Sequence, residues 1–175
     1  MSDRPHPAGR SPQTGAKEWL PPEQHEEIDE VEIVPPTETF AERATLDIGR
    51  AIEMTYHGFA HTDADIVVSV GDADVVFFGD IIEEGSPPSF GDSYPVSWPL
   101  ALCLASEHLA ATVVPGHGDV VDPAFVRSQH EELVSVAELA TRVVTGEIDL
   151  DAAVSSGPYS EEVMRGALLR ALAVA

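Results

Sequence analysis

Three side chains of the metal-ligand type each stand where a β-strand is expected to begin or end. His61 opens "HTDAD" before the run "IVVSV", Asp80 ends "VVFFGD", and His117 follows "TVVPG". Taken singly, each also fits an ordinary turn former or a hydrogen-bonded histidine. Ends of neighbouring strands can converge on one edge of a sheet, and histidine and aspartate suit zinc and similar divalent metals. We therefore expect these three residues to lie together.

The elements that must position these residues follow a simple order. Runs rich in Val, Ile, Thr and Phe predict strands over 44–49, 51–58, 65–71, 74–80 and 111–116, with "GDAD" as a hairpin turn. Helices are predicted over 97–110, opened by Ser97, and over 122–146, with Asp122 as N-cap and Gly146 at the end. Two shorter helices are predicted over 149–156 and 160–175. This order predicts an α/β (α+β) fold with helices on one side of a sheet.

The first 30 residues have a different composition. Five prolines and two glycines precede the acidic run "EQHEEIDEVE", and such a segment buries too little apolar surface to order itself. We therefore predict a flexible N-terminal segment over 1–30 and a folded domain over 31–175.

The composition of the chain limits the classes of partner that it could bind. The 175 residues are 43% hydrophobic, which is enough for a core. Their formal charge of −22 would repel phosphate backbones and anionic lipid. We expect a small-molecule partner, with no nucleic acid and no membrane. With no signal-peptide-like start and no apolar run long enough to span a bilayer, a cytoplasmic location is the expectation.

The order of four segments resembles that of the metallo-β-lactamase superfamily. "AHTDAD", "VVFFGDIIEEG", "SFGDSYPVSW" and "VVPGHGDVV" follow one another, with 19 residues from His61 to Asp80 and 37 from Asp80 to His117. The resemblance implies a metallo-β-lactamase-like αββα sandwich and a dinuclear zinc hydrolase. It also implies that His61 ligates one ion, His117 the other, and Asp80 bridges them. An aspartate at the bridging position is similar to the glyoxalase II-like branch, whereas zinc β-lactamases carry a cysteine.

One family segment is missing. The family's HxHxDH pattern, which supplies most remaining ligands, does not occur in this sequence, so the resemblance covers the C-terminal part of a domain truncated in its N-terminal half. Because this half is missing, we expect weak zinc binding and an exposed apolar face of the sheet. Three interpretations stay open: a hydrolase completed by an upstream segment, an inactive remnant serving as a binding or interaction module, and one half of a split enzyme. A homo-oligomer or a complementing chain would cover the sheet.

Several other residues have candidate roles. Asp65 is expected to cap the turn after His61 or to orient that histidine, with Asp63 as the alternative. The "SFGD" segment from Ser89 to Asp92 is a candidate substrate-facing loop by resemblance. The lone Cys103 is expected to be buried. His108 and His130 are expected to face solvent from helices, and His57 is a weaker candidate ligand.

Overall fold

The computed structural model describes residues 20–32, 34–107 and 109–175. The chain divides into two compact units after Thr39. In the first unit, a 3₁₀ turn over Pro22–Gln24 leads into helix α1, His25–Glu30, and neither buries a residue. The predicted flexible segment over 1–30 falls mainly outside the described residues and stays a prediction.

The second unit, from Phe40 to Ala175, is built on a five-stranded sheet of order β1-β2-β3-β4-β5. The strands are β1 (Arg43–Asp47), β2 (Ala51–Thr55), β3 (Val67–Val70), β4 (Val75–Glu83) and β5 (Thr112–His117). The first four strands pair antiparallel, whereas β5 pairs parallel to β4. The mixed α/β fold predicted from the sequence is therefore confirmed.

Four helices accompany the sheet in the second unit. They are α2 (Trp98–Ala105), α3 (Pro123–Val144), α4 (Leu150–Val154) and α5 (Glu161–Val174). Asp122 caps α3 as predicted, since its carboxylate accepts hydrogen bonds from the Ala124 and Phe125 amides at 2.9 and 3.0 Å. Ser97 does not cap α2 with its side chain, because its hydroxyl donates backwards to the Tyr94 carbonyl at 3.4 Å.

One face of the sheet forms the core with the helices. Val67, Val76, Phe78 and Val113 project from it and are each at most 2% exposed, in one cluster with apolar residues of all four helices. Trp98 of α2 is fully buried in the same cluster and donates its indole N–H to the Ile81 carbonyl at 3.1 Å. This bond ties α2 to the end of β4, the strand that carries Asp80.

The opposite face of the sheet is apolar and partly open. Val68 of β3 lies opposite Phe77 of β4, which lies opposite Val114 of β5. Phe77 is 42% exposed, and Leu46 of β1 is 47% exposed. We call these four residues and their face the open sheet face. Within the described residues, no helix has the length and hydrophobicity needed to cross a membrane.

Candidate metal site

Asp80 and His117 meet because β4 and β5 run in parallel. His117 is the last residue of β5 as expected, whereas Asp80 lies inside β4, which continues to Glu83, so its expected place at a strand end was wrong. The two residues still meet, because Gly79 beside Asp80 pairs with Pro115 of the parallel strand β5. His117 Nε2 lies 3.3 Å from Asp80 Oδ1, with the imidazole 69% exposed and the Asp80 side chain 35% exposed. The pair thus lies at an accessible edge.

His61 approaches the other oxygen of the same carboxylate. It lies in the loop between β2 and β3, and its Nδ1 is 3.8 Å from Asp80 Oδ2. The ring is 17% exposed and meets the Trp98 ring edge-on, with centroids 5.6 Å apart. The structure therefore brings together the three residues singled out in the sequence, with Asp80 between the two imidazoles.

Glu83 is a fourth member that sequence reasoning missed. Asp80, Glu83 and His117 each offer one ligand atom, and these atoms all lie within 4.8 Å of one another. We call these three residues the ligand cluster. The available signal was a glutamate ending the apolar strand "VVFFGDIIE", but an irregularity in the β4–β5 pairing between Gly79 and Glu83 sets its position, and no sequence pattern reveals that.

Glu83 is buried and firmly held. It is 6% exposed, and its Oε2 accepts the Ser89 amide at 2.6 Å. Gln129 of α3 fixes its backbone, donating to the Glu83 carbonyl at 2.8 Å and accepting from its amide at 3.2 Å. Burial raises the pKa of Glu83 above its ordinary value, although the Ser89 hydrogen bond and the nearby His61 oppose this. Burying a carboxylate is costly unless it is compensated, which makes Glu83 a candidate ligand.

Glycines around His117 allow this close packing. A Cβ on Gly116 would overlap the Asp80 carboxylate and approach the Asp80 amide to 2.7 Å. Gly118 has a left-handed φ of +88°, and a Cβ there would overlap Glu84. Glu84 in turn accepts the Asp119 amide at 2.8 Å and donates its own amide to the His117 carbonyl at 3.0 Å. The turn after His117 is thereby fixed.

The two aspartates near His61 have different surroundings. Asp65 accepts from the Thr62 amide at 2.7 Å and from the Thr62 hydroxyl at 2.8 Å. It therefore caps the turn that follows His61, the first of its two expected roles. Asp63 is exposed, and its charge helps to raise the pKa of Tyr56 after the larger effect of burial.

The structure also gives the positions of the lone cysteine and of two of the three remaining candidate histidines. Cys103 is exposed, so its expected burial was wrong. His130 is half-buried rather than solvent-facing, since its Nε2 lies 3.1 Å from the Pro99 carbonyl. His57 Nε2 contacts the Thr55 hydroxyl at 2.9 Å. His108 lies outside the described residues.

The donor set of the ligand cluster fits a divalent metal ion. Two carboxylates and one imidazole are ligands that zinc accepts, at about 2.0–2.2 Å. Two ligands at tetrahedral angles around such an ion are then about 3.4 Å apart, close to the 3.3 Å between Asp80 Oδ1 and His117 Nε2. Small side-chain movements would bring all three ligand atoms to one ion.

Comparison with known proteins identifies the family of this chain. The family model described as the metallo-beta-lactamase superfamily matches residues 3–154. The solved metallo-beta-lactamase from Pontibacter korlensis is 28% identical with a TM-score of 0.52, over 56% of this chain and 48% of that one. DIM-1 metallo-beta-lactamase is 27% identical with a TM-score of 0.52, over 61% of this chain and 50% of that one.

The extent of these matches is partial. The chain spans about half the length of the solved structures that it matches, and no curated protein matches it. The family model nevertheless covers most of the chain, and the fold agrees with the solved structures. The chain belongs to the metallo-β-lactamase superfamily.

Proposed function

We propose that this chain carries the metal-binding part of a metal-dependent hydrolase, with Asp80, Glu83 and His117 as ligands and His61 beside them. The observation that carries the proposal is the convergence of the ligand cluster towards the carboxyl ends of β4 and β5, where His117 and Asp80 are accessible. His61, on the opposite oxygen of Asp80, would contribute to a second ion position, as the family resemblance implies.

Zinc is the metal that the family and these ligands favour. A bound divalent ion polarises a substrate carbonyl or phosphoryl oxygen and activates water near neutral pH. Around it, Asp80 would hold both imidazoles in place, and the buried Glu83 would fix the ion against the sheet. Zinc affinity should be weak, because strong sites hold three or four ligands in fixed geometry with supporting hydrogen bonds, whereas the ligand atoms of this cluster are separated by up to 4.8 Å and must move to meet one ion.

By the family resemblance, Asp80 stands where zinc β-lactamases carry a cysteine, which favours the glyoxalase II-like branch over β-lactam hydrolysis. The substrate within that branch stays open among thioesters, lactones, phosphodiesters and related compounds. The strong negative charge of the chain favours a small-molecule substrate over nucleic acid or membrane. A cytoplasmic location remains our expectation.

The open sheet face favours a second chain or segment as a partner. Phe77 and Leu46 are 42% and 47% exposed on a face where neighbouring strands place apolar side chains side by side. Contiguous apolar surface of this kind marks an interface. A complementing chain, as in a split enzyme, or a second copy would cover it. A remnant with only a binding role is the alternative that this face also supports.

Calorimetric zinc titration tests the proposed site. The chain should bind zinc weakly, and His117→Ala or Asp80→Asn should reduce the affinity at least about tenfold. His57→Gln, a histidine change outside the ligand cluster, should leave it unchanged. Equal affinity in the His117→Ala variant, or tight binding of two ions by this chain, would contradict the proposal.

The activity part has its own test. We expect near-background hydrolysis of general ester and thioester probes by this chain, because it lacks the HxHxDH ligands. Activity should appear when a family segment carrying HxHxDH is supplied, either fused upstream or as a second chain. An inactive, folded and zinc-loaded combination would contradict the hydrolase assignment and favour the binding-module alternative.

A further inference from the structure

Glu83 lies where β4 extends past one of its neighbouring strands. β3 pairs with β4 only over Val75–Phe77, whereas β4 continues to Glu83. The backbone N–H and C=O of a buried residue need hydrogen-bond partners, which in a sheet normally come from the neighbouring strand. Glu83 is 6% exposed, so water supplies few of them. Its backbone therefore depends on another part of the chain.

The Gln129 carboxamide takes the place of that strand. Gln129 projects from α3 and is 4% exposed. Its Nε2 donates to the Glu83 carbonyl at 2.8 Å, and its Oε1 accepts from the Glu83 amide at 3.2 Å. A carboxamide offers a donor and an acceptor side by side, so one side chain satisfies both backbone groups of Glu83. Asparagine, one methylene group shorter, would not reach as far.

A second helix holds the residues just before Glu83. The pairing of β4 with β5 is irregular between Gly79 and Glu83. Trp98 of α2 donates to the Ile81 carbonyl inside this stretch, and Gln129 of α3 binds its last residue. Side chains of two helices therefore hold the stretch that carries two of the three candidate ligands.

These bonds leave the Glu83 side chain little freedom. Gln129 fixes its backbone on both sides of the Cα atom, and the Ser89 amide holds its Oε2 at 2.6 Å. The His117 imidazole, in contrast, is 69% exposed. Glu83 is thus the fixed member of the ligand cluster, and His117 is the member free to move. A ligand that is held before the ion arrives loses less freedom on binding.

We propose that Gln129 is a positioning residue of the metal site, which holds Glu83 in the orientation that binds the ion. This inference rests on the proposed metal-dependent function. Gln129 lies outside the ligand cluster, and its two hydrogen bonds to Glu83 reach the backbone rather than the carboxylate. A buried glutamine with only a packing role would change stability alone, so the two roles predict different results.

Gln129→Met keeps the length of the side chain and removes its donor and acceptor. In a calorimetric titration with zinc alone, it should lower the affinity about tenfold, as for the loss of other groups that support a metal ligand. Leu133→Ala is the matched control, because Leu133 is fully buried one turn further along α3. It should destabilise the fold and leave zinc affinity unchanged. Equal losses of zinc affinity in both variants would overturn the positioning role.

A double-mutant comparison shows whether Gln129 acts through Glu83. When Glu83→Gln is already present, adding Gln129→Met should change zinc affinity by less than about twofold, because the carboxylate that Gln129 positions is absent. A further tenfold loss would show that Gln129 acts by another route and would overturn the proposal.

Hydrogen exchange of the zinc-free protein gives a measurement independent of the ion. The Ser89 amide is bonded to the Glu83 carboxylate. Compared with amides of the central strands, it should exchange faster in Gln129→Met than in Leu133→Ala. The same Ser89 rate in both variants counts against the positioning role. If Gln129→Met does not fold, Gln129→Asn replaces it with the same expected results, since it keeps the carboxamide but is shorter.

The titrations also separate this inference from the proposed function. If Glu83→Gln lowers zinc affinity while Gln129→Met does not, the positioning role is wrong and the metal site stands. If the original chain binds no zinc, or Glu83→Gln binds it equally well, the ligand assignment is wrong and the positioning role falls with it.

Discussion

At the scale of single residues, one carboxylate organises the site. The two oxygens of Asp80 face different imidazoles, with Oδ1 3.3 Å from His117 and Oδ2 3.8 Å from His61. Glu83 adds a second carboxylate that is buried and held by the Ser89 amide. Burying a charged carboxylate is costly unless it is compensated. A divalent ion would supply that compensation.

Glu83→Gln tests both the destabilisation caused by burying this carboxylate and its contribution to zinc binding. Burial raises the Glu83 pKa, so the ionised side chain destabilises the folded state progressively as pH rises through the unfolded and then the folded pKa. Removing the charge should therefore increase the unfolding free energy of the metal-free protein at neutral pH. Zinc affinity should fall at least about tenfold. Urea unfolding and calorimetry measure the two effects.

The matched control is an exposed glutamate away from the site. Glu138 of α3 is exposed and lies outside the ligand cluster, and Glu138→Gln should leave zinc affinity near that of the original chain. If both variants lose zinc affinity equally, charge in general rather than ligation by Glu83 is responsible.

His57 predicts a pH effect on stability away from the cluster. Burial lowers its pKa below the ordinary 6.5, Arg43 lowers it further, and Glu107 partly opposes this. As pH falls below about 6.5 the unfolded chain takes up the proton first, so stability present above that pH is lost towards the folded pKa. Unfolding midpoints should therefore fall more between about pH 7 and pH 5 for the original chain than for His57→Gln. Equal slopes would show that His57 is not the group responsible.

At the scale of elements, strand and helix positions follow closely from the sequence. Runs rich in Val, Ile, Thr and Phe, bounded by turn residues, place all five strands. Asp122 marks the start of α3 as predicted. Ser97 had the right residue type for a cap, but its hydroxyl finds the Tyr94 carbonyl instead. The expectation that His61, Asp80 and His117 lie together was met, although Asp80 lies inside β4 rather than at its end. Glu83 depends on the irregular β4–β5 pairing, which the sequence does not reveal.

Gly116→Ala tests the close approach of β5 to Asp80. The added methyl group would overlap the Asp80 carboxylate and crowd the backbone of β4, so we expect a loss of about 1–3 kcal/mol in unfolding free energy. Gly166→Ala is the matched control, because its methyl group enters open space and should stabilise α5 by about 0.5–1 kcal/mol. Urea unfolding that ranks the two variants in the opposite order would contradict this packing.

At the scale of the whole molecule, the open sheet face is the main unsatisfied feature. The chain spans about half the length of the solved metallo-β-lactamases that it matches, and one face of its sheet keeps Phe77 at 42% exposure. The sequence analysis predicted this face from the missing family segment, and the nearly continuous apolar runs of β3 and β4 are typical of strands covered on both sides. The strand pattern does not identify the partner that covers this face.

Phe77→Lys should reduce self-association through this face. Apolar contact drives such association, whereas a lysine there adds a charge that must be desolvated. Sedimentation velocity over increasing concentration should show larger species for the original chain than for Phe77→Lys. Leu100→Lys, which changes a residue 63% exposed on α2, should behave like the original chain. A chain that stays monomeric at every concentration would contradict self-association and leave a complementing partner as the occupant.

The location of a bound zinc ion tests the central claim most directly. Crystals soaked in zinc and measured at the zinc absorption edge should show an anomalous peak about 2.0–2.2 Å from ligand atoms of Asp80, Glu83 and His117. The peak should be lost in His117→Ala crystals soaked in the same way. Zinc found only at other acidic surface groups, or a peak at the cluster that persists without the His117 imidazole, would contradict the account.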